Sequence, residues 1–440
     1  MTLKESTTFK RTLNKSNILG IGFADLNAHL LDEFILGQHK QRNKFKYFFL
    51  NLFWILSKVI RFKKNQLNAN VLFVPAELDK ERSLGLYKPL FKYLNSDNYK
   101  VISLNHLFNS LDFFVFFCWI FEIPKITNQV FKIIKNNQNF NELKEIKWVL
   151  LIDSIVHLLW ILQIRRIIKK AKINSVVVDW DRHKLQSLII LAAKKEKINN
   201  FTFVHGAIYT PEKFVPLIAD NCFVWGENHI DFFTNLGEDN KKLLKVGNTR
   251  FNNILPRREL VLNKYKIKSE KKIILHPSQN FPDLDDHIII KDLYNFISQN
   301  EKFQLAVKFH PSQNNTELFK KIKSLENLIV LDQSISPVEA LAIADFTIIV
   351  SSTFAIDALI SDVPVAIYKP TIDLRGIAVD LVSIANVPTL KAKEDFCSFF
   401  ISLSNESRES VFNMDRQRDF IKNYCEYYGE DSAILISKLL

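Results

Sequence analysis

Three short runs of this sequence carry residues able to hold or move a charged group. The clearest is VKFHPSQN, residues 307–314. An apolar run ends at Lys308 and Phe309, and His310-Pro311 opens the loop that follows. Proline after His310 biases that residue to extended conformations and can start a turn. An imidazole there can donate to a phosphate or a base edge, a bond worth roughly 1.5–3 kcal/mol when charge-assisted. It can equally cap local backbone. The second run, DFTIIVSSTFAIDALISDVPVAIYKP (345–370), delivers Ser351, Ser352 and Thr353 from an apolar strand to a helix start. Hydroxyls beside the first free N–H groups of a helix suit an anion, although plain serine capping produces the same pattern. The third run lies earlier. VVVDWDRH (176–183) carries Asp179 and Asp181 past one strand, and FTFVHGAIY (201–209) carries His205 and Gly206 past the next. His205 titrates near neutrality and suits a general base. Asp181 could orient that base or act itself. Both aspartates could instead cap the following helix. Glu77, in VPAELDKER, is a weaker candidate base.

These runs need strands to carry them. From residue 70 short β-branched stretches alternate with helical ones: 71–74, 101–104, 175–178, 201–204, 222–225 and 244–246. That alternation predicts βαβ units on a parallel sheet. Residues 105–170 read almost entirely as helix. A second series follows a charged connector at 256–271, with strands expected at 273–275, 305–309, 328–331, 346–350 and 365–368. The expected layout is an N-terminal tail and helix over 1–65, a Rossmann-like half over 66–255 and a second over 256–440. HPSQN occurs at 276–280 and again at 310–314 with unlike flanks. Two loops after two parallel strands account for it better than a structural repeat. Ligands of open α/β sheets bind beyond the carboxyl ends of strands, where every one of these runs falls.

Composition narrows the function. The 440 residues suffice for two or three domains at about 150 each. Hydrophobic residues are 47% and charged residues 24%, which excludes a mainly disordered chain. The net charge of +12 suits an anionic partner, but Lys, Asn and Phe are raised together as in AT-rich coding, so charge alone selects none. Four scattered cysteines without a CxxC pair, and a polar N-terminus without an apolar signal core, point to a reducing cytoplasm. There is no GxxxxGK[ST], GxSxG, HExxH or GxGxxG, no metal-ligand spacing and no nucleic-acid-binding motif. Nucleic acid is therefore not expected as a partner. Apolar stretches at 47–56, 111–123 and 148–164 are too short or too charged to span a bilayer cleanly. They read as core helices, except that 46–64, with aromatics followed by Lys58, Arg61, Lys63 and Lys64, also fits a helix lying in an anionic membrane surface.

Together the runs resemble the GT-B superfamily of nucleotide-sugar enzymes. FVWGE…KVGNTRF (223–251) is similar to the end of the first GT-B half in bacterial polysaccharide enzymes and UDP-N-acetylglucosamine 2-epimerases. His310-Pro311 and Ser351-Ser352 resemble the paired HP and Ser/Thr-Ser motifs of polysialyltransferases, capsular Kdo transferases and CDP-glycerol polymerases. His205-Gly206 resembles the His-Gly loop of the last group. The resemblance implies an α/β, GT-B architecture: two Rossmann-like domains facing a central cleft, with extra N-terminal helices. It implies inverting transfer from a nucleotide-activated, CMP-linked sugar to a glycan or glycolipid acceptor of a surface polysaccharide, without metal or organic cofactor. The donor would lie on Lys308, His310, Pro311, Ser351, Ser352, Thr353 and Arg250, with His205 or Asp181 as base. Asp357 matches an acidic position of the related motif. The location implied is the cytoplasm, with peripheral contact to the inner membrane face. A CDP-glycerol-type phosphotransferase, a 2-epimerase and a non-catalytic scaffold are the alternatives. DWDRH, VHGA and VSSTF depart from the epimerase's GDT-like, EAG-like and DSGG-like stretches and favour transfer.

Overall fold

The computed structural model describes residues 3–35, 49–51, 53, 55, 57–58, 69–76, 85–108, 111–137, 142–204, 206, 208, 211–251, 253–267, 270–279, 286–310, 320, 322, 325, 328–331, 334–369 and 376–440. It divides into two units. One comprises Met1–His205, Thr210–Arg250 and Gly429–Leu440, the other Gly206–Tyr209 and Phe251–Tyr428.

The first unit is built on a six-stranded parallel sheet. Its strands are β3 (Val71–Val74), β4 (Tyr99–Val101), β5 (Ser175–Val178), β6 (Asn199–Phe203), β7 (Asn221–Val224) and β8 (Leu243–Lys245), in the order β4-β3-β5-β6-β7-β8. VLFV and SVVV are buried at every residue. Helices cover both faces of a parallel sheet, so its inner strands read as unbroken apolar runs rather than alternating ones. Two long helices, Phe113–Asn136 and Lys147–Ala171, run antiparallel. Arg166 meets Asp112 at one end, Trp119 Nε1 donates to the Ile155 carbonyl mid-way, and the rings of Phe131 and Trp148 pack at the other end. Lys147–Ala171 is the one helix among the described residues long and apolar enough to cross a membrane, and most of it lies in the core of this unit. The expected core helix over 148–164 is thus observed. The stretch at 111–123 differs. Its helix continues through Pro124 to Asn136 and buries only one face.

The N-terminal residues belong to this unit. Helices α1 (Leu3–Asn14), α2 (Phe23–Leu26) and α3 (Ala28–Ile35) surround a short hairpin, β1 (Asn17–Ile18) with β2 (Ile21–Gly22). Lys10 and Arg182 are completely enclosed, and both bind Asp32. Lys10 Nζ lies 2.6 Å from Asp32 Oδ1, and Arg182 grips both carboxylate oxygens at 2.7 and 2.8 Å. The two cations also donate to the Val215 and Pro216 carbonyls. Arg11 pairs with Glu238 at 2.9 Å, and Gly237 between them has φ +79°. A side chain at Gly237 would be strained there, and its Cβ would lie 2.5 Å from Arg11 Nη1. Residues 3–35 are therefore not the separate tail expected over 1–65.

The second unit repeats the plan. Strands β9 (Lys272–Pro277), β10 (Phe303–Lys308), β11 (Ile329–Leu331), β12 (Phe346–Ile349), β13 (Val365–Tyr368) and β14 (Thr389–Leu390) lie parallel in the order β11-β10-β9-β12-β13-β14. The chain enters this unit at Phe251, close to the expected 255/256 boundary, and part of the connector is the helix Arg258–Lys264. The C-terminal end of the expected second half differs: Gly429–Leu440 returns to the first unit. There Ala433 and Ile436 join the core of Phe73, Tyr87 and Val177, and the Gly429 N–H donates to the Asn248 carbonyl.

Removing the anion from the Lys10–Asp32–Arg182 cluster leaves two buried cations without the carboxylate that pairs them. Asp32→Ala is expected to destabilise the first unit by about 3–5 kcal/mol. The denaturant midpoint of that unit's transition is the measurement.

Candidate functional site

In each sheet the chain runs outward from one central strand, then crosses to build the other side. The switch falls between β3 and β5 in the first unit and between β9 and β12 in the second. Strand ends diverge at such a point and leave a hollow beyond their carboxyl ends. The candidate residues lie at these two places.

In the second unit, residues 278 and 279, directly after β9, tie its neighbours together. Ser278 donates its main-chain N–H to the Lys308 carbonyl, and its hydroxyl accepts the His310 N–H at 3.1 Å. On the other side Gln279 Oε1 accepts the Ser351 N–H at 2.9 Å. The Gln279 N–H is held by Asp286 Oδ2 at 2.9 Å. Two consecutive residues therefore tie down both motifs. Ser351 is buried, while Ser352, Thr353 and His310 are half-buried. Ser352 Oγ accepts the Phe354 N–H, so serine capping is realised in part. Lys308, expected as a charge partner of the donor, is 8% exposed and gives its ammonium to the Ile335 carbonyl at 2.5 Å. It braces the segment after β11 instead. Asp357 is half-buried on the Phe354–Ile360 helix. Pro311 lies outside the described residues.

Beneath this patch His276 is fully enclosed. Its Nδ1 donates to the Ile348 carbonyl at 2.9 Å, and its Nε2 has no partner among the described residues. Burial, opposed by that bond, pulls its pKa down to about 4. His276 is a neutral strut between β9 and β12.

In the first unit the same task falls to other side chains. Asp179 Oδ1 accepts the Ala76 N–H at 3.0 Å, and Gln186 Nε2 bonds both Asp179 and the Val74 carbonyl. The ends of β3 and β5 are thereby joined across the switch. Asp181 Oδ2 accepts the Ile218 and Ala219 N–H groups at 2.7 and 2.9 Å, and its own N–H donates to Thr202 Oγ1. It is 2% exposed, and burial raises its pKa to about 6 against these bonds and Arg182. Neither aspartate caps the following helix, whose N-cap is Leu185 without a side-chain bond. Asp181 holds the loop that leads into β7. His205 and Glu77 lie outside the described residues. Gly206 is described and buried. Arg250 is half-buried in the first unit, beside Thr249, whose hydroxyl donates to the Leu86 carbonyl.

Sequence reasoning missed Ser278, Gln279, Gln186 and Thr202 as the groups that hold the site. The doubled HPSQN was the available signal for the first two. Among the described residues no three His, Cys, Asp or Glu side chains gather as metal ligands.

No family model matches the chain, and no curated protein matches it. Solved structures do. A UDP-GlcNAc 2-epimerase from Neisseria meningitidis bound to UDP-GlcNAc aligns at TM-score 0.52 and 15% identity, over 84% of this chain and 99% of that one. A glycosyltransferase from Rickettsia africae aligns at 0.50 and 14%, over 84% and 97%. MnaA of S. aureus with UDP aligns at 0.50 and 14%, over 83% and 94%. The chain has the GT-B fold. The match spans nearly all of each neighbour, so both GT-B units take part in the likeness, and at these identities the likeness is one of fold.

His276 makes an acid-labile contribution. Its folded pKa lies below the unfolded value of about 6.5, so its stability contribution is present above 6.5 and is lost as pH falls toward 4. By linkage the loss at pH 5 is about 2 kcal/mol. The stability gap between wild type and His276→Gln is expected to narrow by that amount between pH 7 and pH 5, read from urea midpoints at each pH.

Proposed function

We propose that this chain is a nucleotide-sugar-dependent glycosyltransferase whose donor nucleotide binds the second unit. One observation carries the reading. Ser278 and Gln279 fasten the His310 loop and the Ser351–Thr353 turn to the same strand end at the switch point. Two separate motifs with donors for phosphate are thus held at fixed spacing, which is what binding an anionic ligand without reorganisation requires. In this reading His310 and the hydroxyls of Ser352 and Thr353 take the diphosphate or monophosphate of the donor, and Ser351, with its N–H held by Gln279, positions the turn. Lys308 and Asp181 are positioning residues, since their charged ends already bond main chain within their own units. His205 is the proposed base. It removes the proton of the acceptor hydroxyl while that oxygen attacks the anomeric carbon. The nucleoside phosphate leaves with the electron pair of the broken bond, and configuration inverts.

The motif pairing supports a cytidine donor and a surface-glycan acceptor. The 2-epimerase is the second reading, supported by a neighbour of the same fold that holds UDP-GlcNAc. The Ser-Ser-Thr turn, where the epimerase pattern has paired glycines, favours transfer.

The test is thermal unfolding with CMP, CDP, UMP, UDP and GDP. A nucleotide at about a hundred times its dissociation constant stabilises by roughly 2.7 kcal/mol. Selective stabilisation by CMP or CDP, absent in His310→Ala, is the expected result. Gln279→Ala removes one hydrogen bond of about 1 kcal/mol and is expected to weaken binding of that nucleotide by roughly fivefold. Stabilisation by UDP alone overturns the cytidine assignment, and conversion of UDP-GlcNAc to its 2-epimer overturns transfer. No stabilisation by any nucleotide overturns the donor site.

A further inference from the structure

The helix Phe113–Asn136 leaves a large apolar face uncovered. Phe113, Phe114, Phe117, Ile120 and Phe121 are 42% to 68% exposed. Their spacing places them on one stripe of the helix. Its opposite face, with Val115, Trp119 and Ile126, is already buried in the core, so the helix is apolar on both sides over its first turns. Exposed apolar residues scattered singly need no account, whereas five adjacent large ones mark a contact surface. The segment at 49–58 adds to it. Its described residues are helical, Phe49, Leu50 and Phe53 are exposed, and the Lys58 carbonyl accepts the Leu111 N–H beside the start of the aromatic helix.

Charge says what covers this face. Beyond Phe121 the exposed positions of the same helix include Lys125, Lys132 and Lys135. At its start, Arg166 lies over the Phe114 ring at 5.5 Å, and Lys169 and Lys170 follow on the neighbouring helix, both exposed. The acids beside these cations are Asp112, paired with Arg166, Glu196, paired with Lys169 at 3.0 Å, and the half-buried Glu122, so Lys125, Lys132, Lys135 and Lys170 carry the excess positive charge. The aromatic stripe is therefore bordered by cations at both ends. Two copies of this chain meeting through it would bring those like charges together. A bilayer with anionic headgroups offers the complement: hydrocarbon for the phenylalanines and negative charge for the lysines and arginines.

We propose that the first turns of the Phe113–Asn136 helix dock the protein onto an anionic membrane surface, with the phenylalanines inserted and the flanking Lys and Arg at headgroup level. The membrane contact expected at 46–64 is in this view a second, adjoining part of a surface centred on another helix. The proposal stands independently of the donor reading, because none of these residues belongs to the site.

Co-sedimentation of the full chain with vesicles tests it, using phosphatidylcholine alone and phosphatidylcholine mixed with phosphatidylglycerol. Wild type is expected to pellet with the mixed vesicles and to lose binding at high salt. Phe114→Ser/Phe117→Ser/Phe121→Ser should weaken partitioning by on the order of tenfold or more while its melting temperature is retained. Lys125→Gln/Lys132→Gln/Lys135→Gln should reduce the preference for phosphatidylglycerol and leave residual binding. Absence of wild-type binding to either vesicle, or equal binding by the phenylalanine variant, overturns the proposal. So does a dimer in sedimentation equilibrium that the phenylalanine variant abolishes while vesicles bind neither protein, which would assign the face to a second copy.

Discussion

The first unit depends on a single carboxylate. Asp32 gathers Lys10, from the first helix of the chain, and Arg182, from the loop after β5, in a place where neither cation reaches water. Both cations also donate to the carbonyls of residues 215 and 216. Three distant parts of the sequence are thereby fixed to one another. An ion cluster in this setting gives little net stability against an apolar replacement, but it tolerates only one arrangement. Asp181, one residue before Arg182, then anchors residues 218 and 219, the entry to β7. The N-terminal helices are thus a structural part of the loop system around the sheet's carboxyl edge.

The two units solve the same mechanical problem with unlike residues. A strand-order switch leaves two neighbouring strand ends with no loop in common, and something has to hold them in register. In the first unit the side chains of Asp179 and Gln186 reach the main chain of Ala76 and Val74. In the second a side chain, Gln279, reaches across to the main chain of Ser351, and the buried His276 joins the same strands one layer below. In the second unit Ser352 also caps its helix by accepting the Phe354 N–H, whereas the Thr353 side chain makes no cap bond. In the first unit the visible carboxylates are occupied.

Much of this plan is legible in the residues. β3, β5 and β12 stand out because burial on both faces demands unbroken apolar stretches. The His310 and Ser351 motifs stand out because small polar residues directly after such stretches have no packing role. The ties between them are not legible. Ser278 meets His310 across 32 positions and Gln279 meets Ser351 across 72, and nothing local in either partner announces the other. The partners of Asp181 at 218 and 219 are equally distant in sequence and equally unannounced. The helix at 113–136 shows a different limit. Its apolar residues predict burial correctly for Trp119 and Ile126, but periodicity alone does not tell which side of an all-apolar helix meets the core.

The return of residues 429–440 to the first unit has a consequence for synthesis. The second sheet is drawn from one continuous stretch, 272–390, and is complete once that stretch has left the ribosome. The first unit is not. Ala433 and Ile436 complete a core whose other members, Phe73 and Tyr87, were made some 350 residues before. At roughly 5–20 residues per second that core stays open for tens of seconds of translation. That core therefore closes after the second sheet is complete, and for that interval its unfinished apolar surface is available to chaperones.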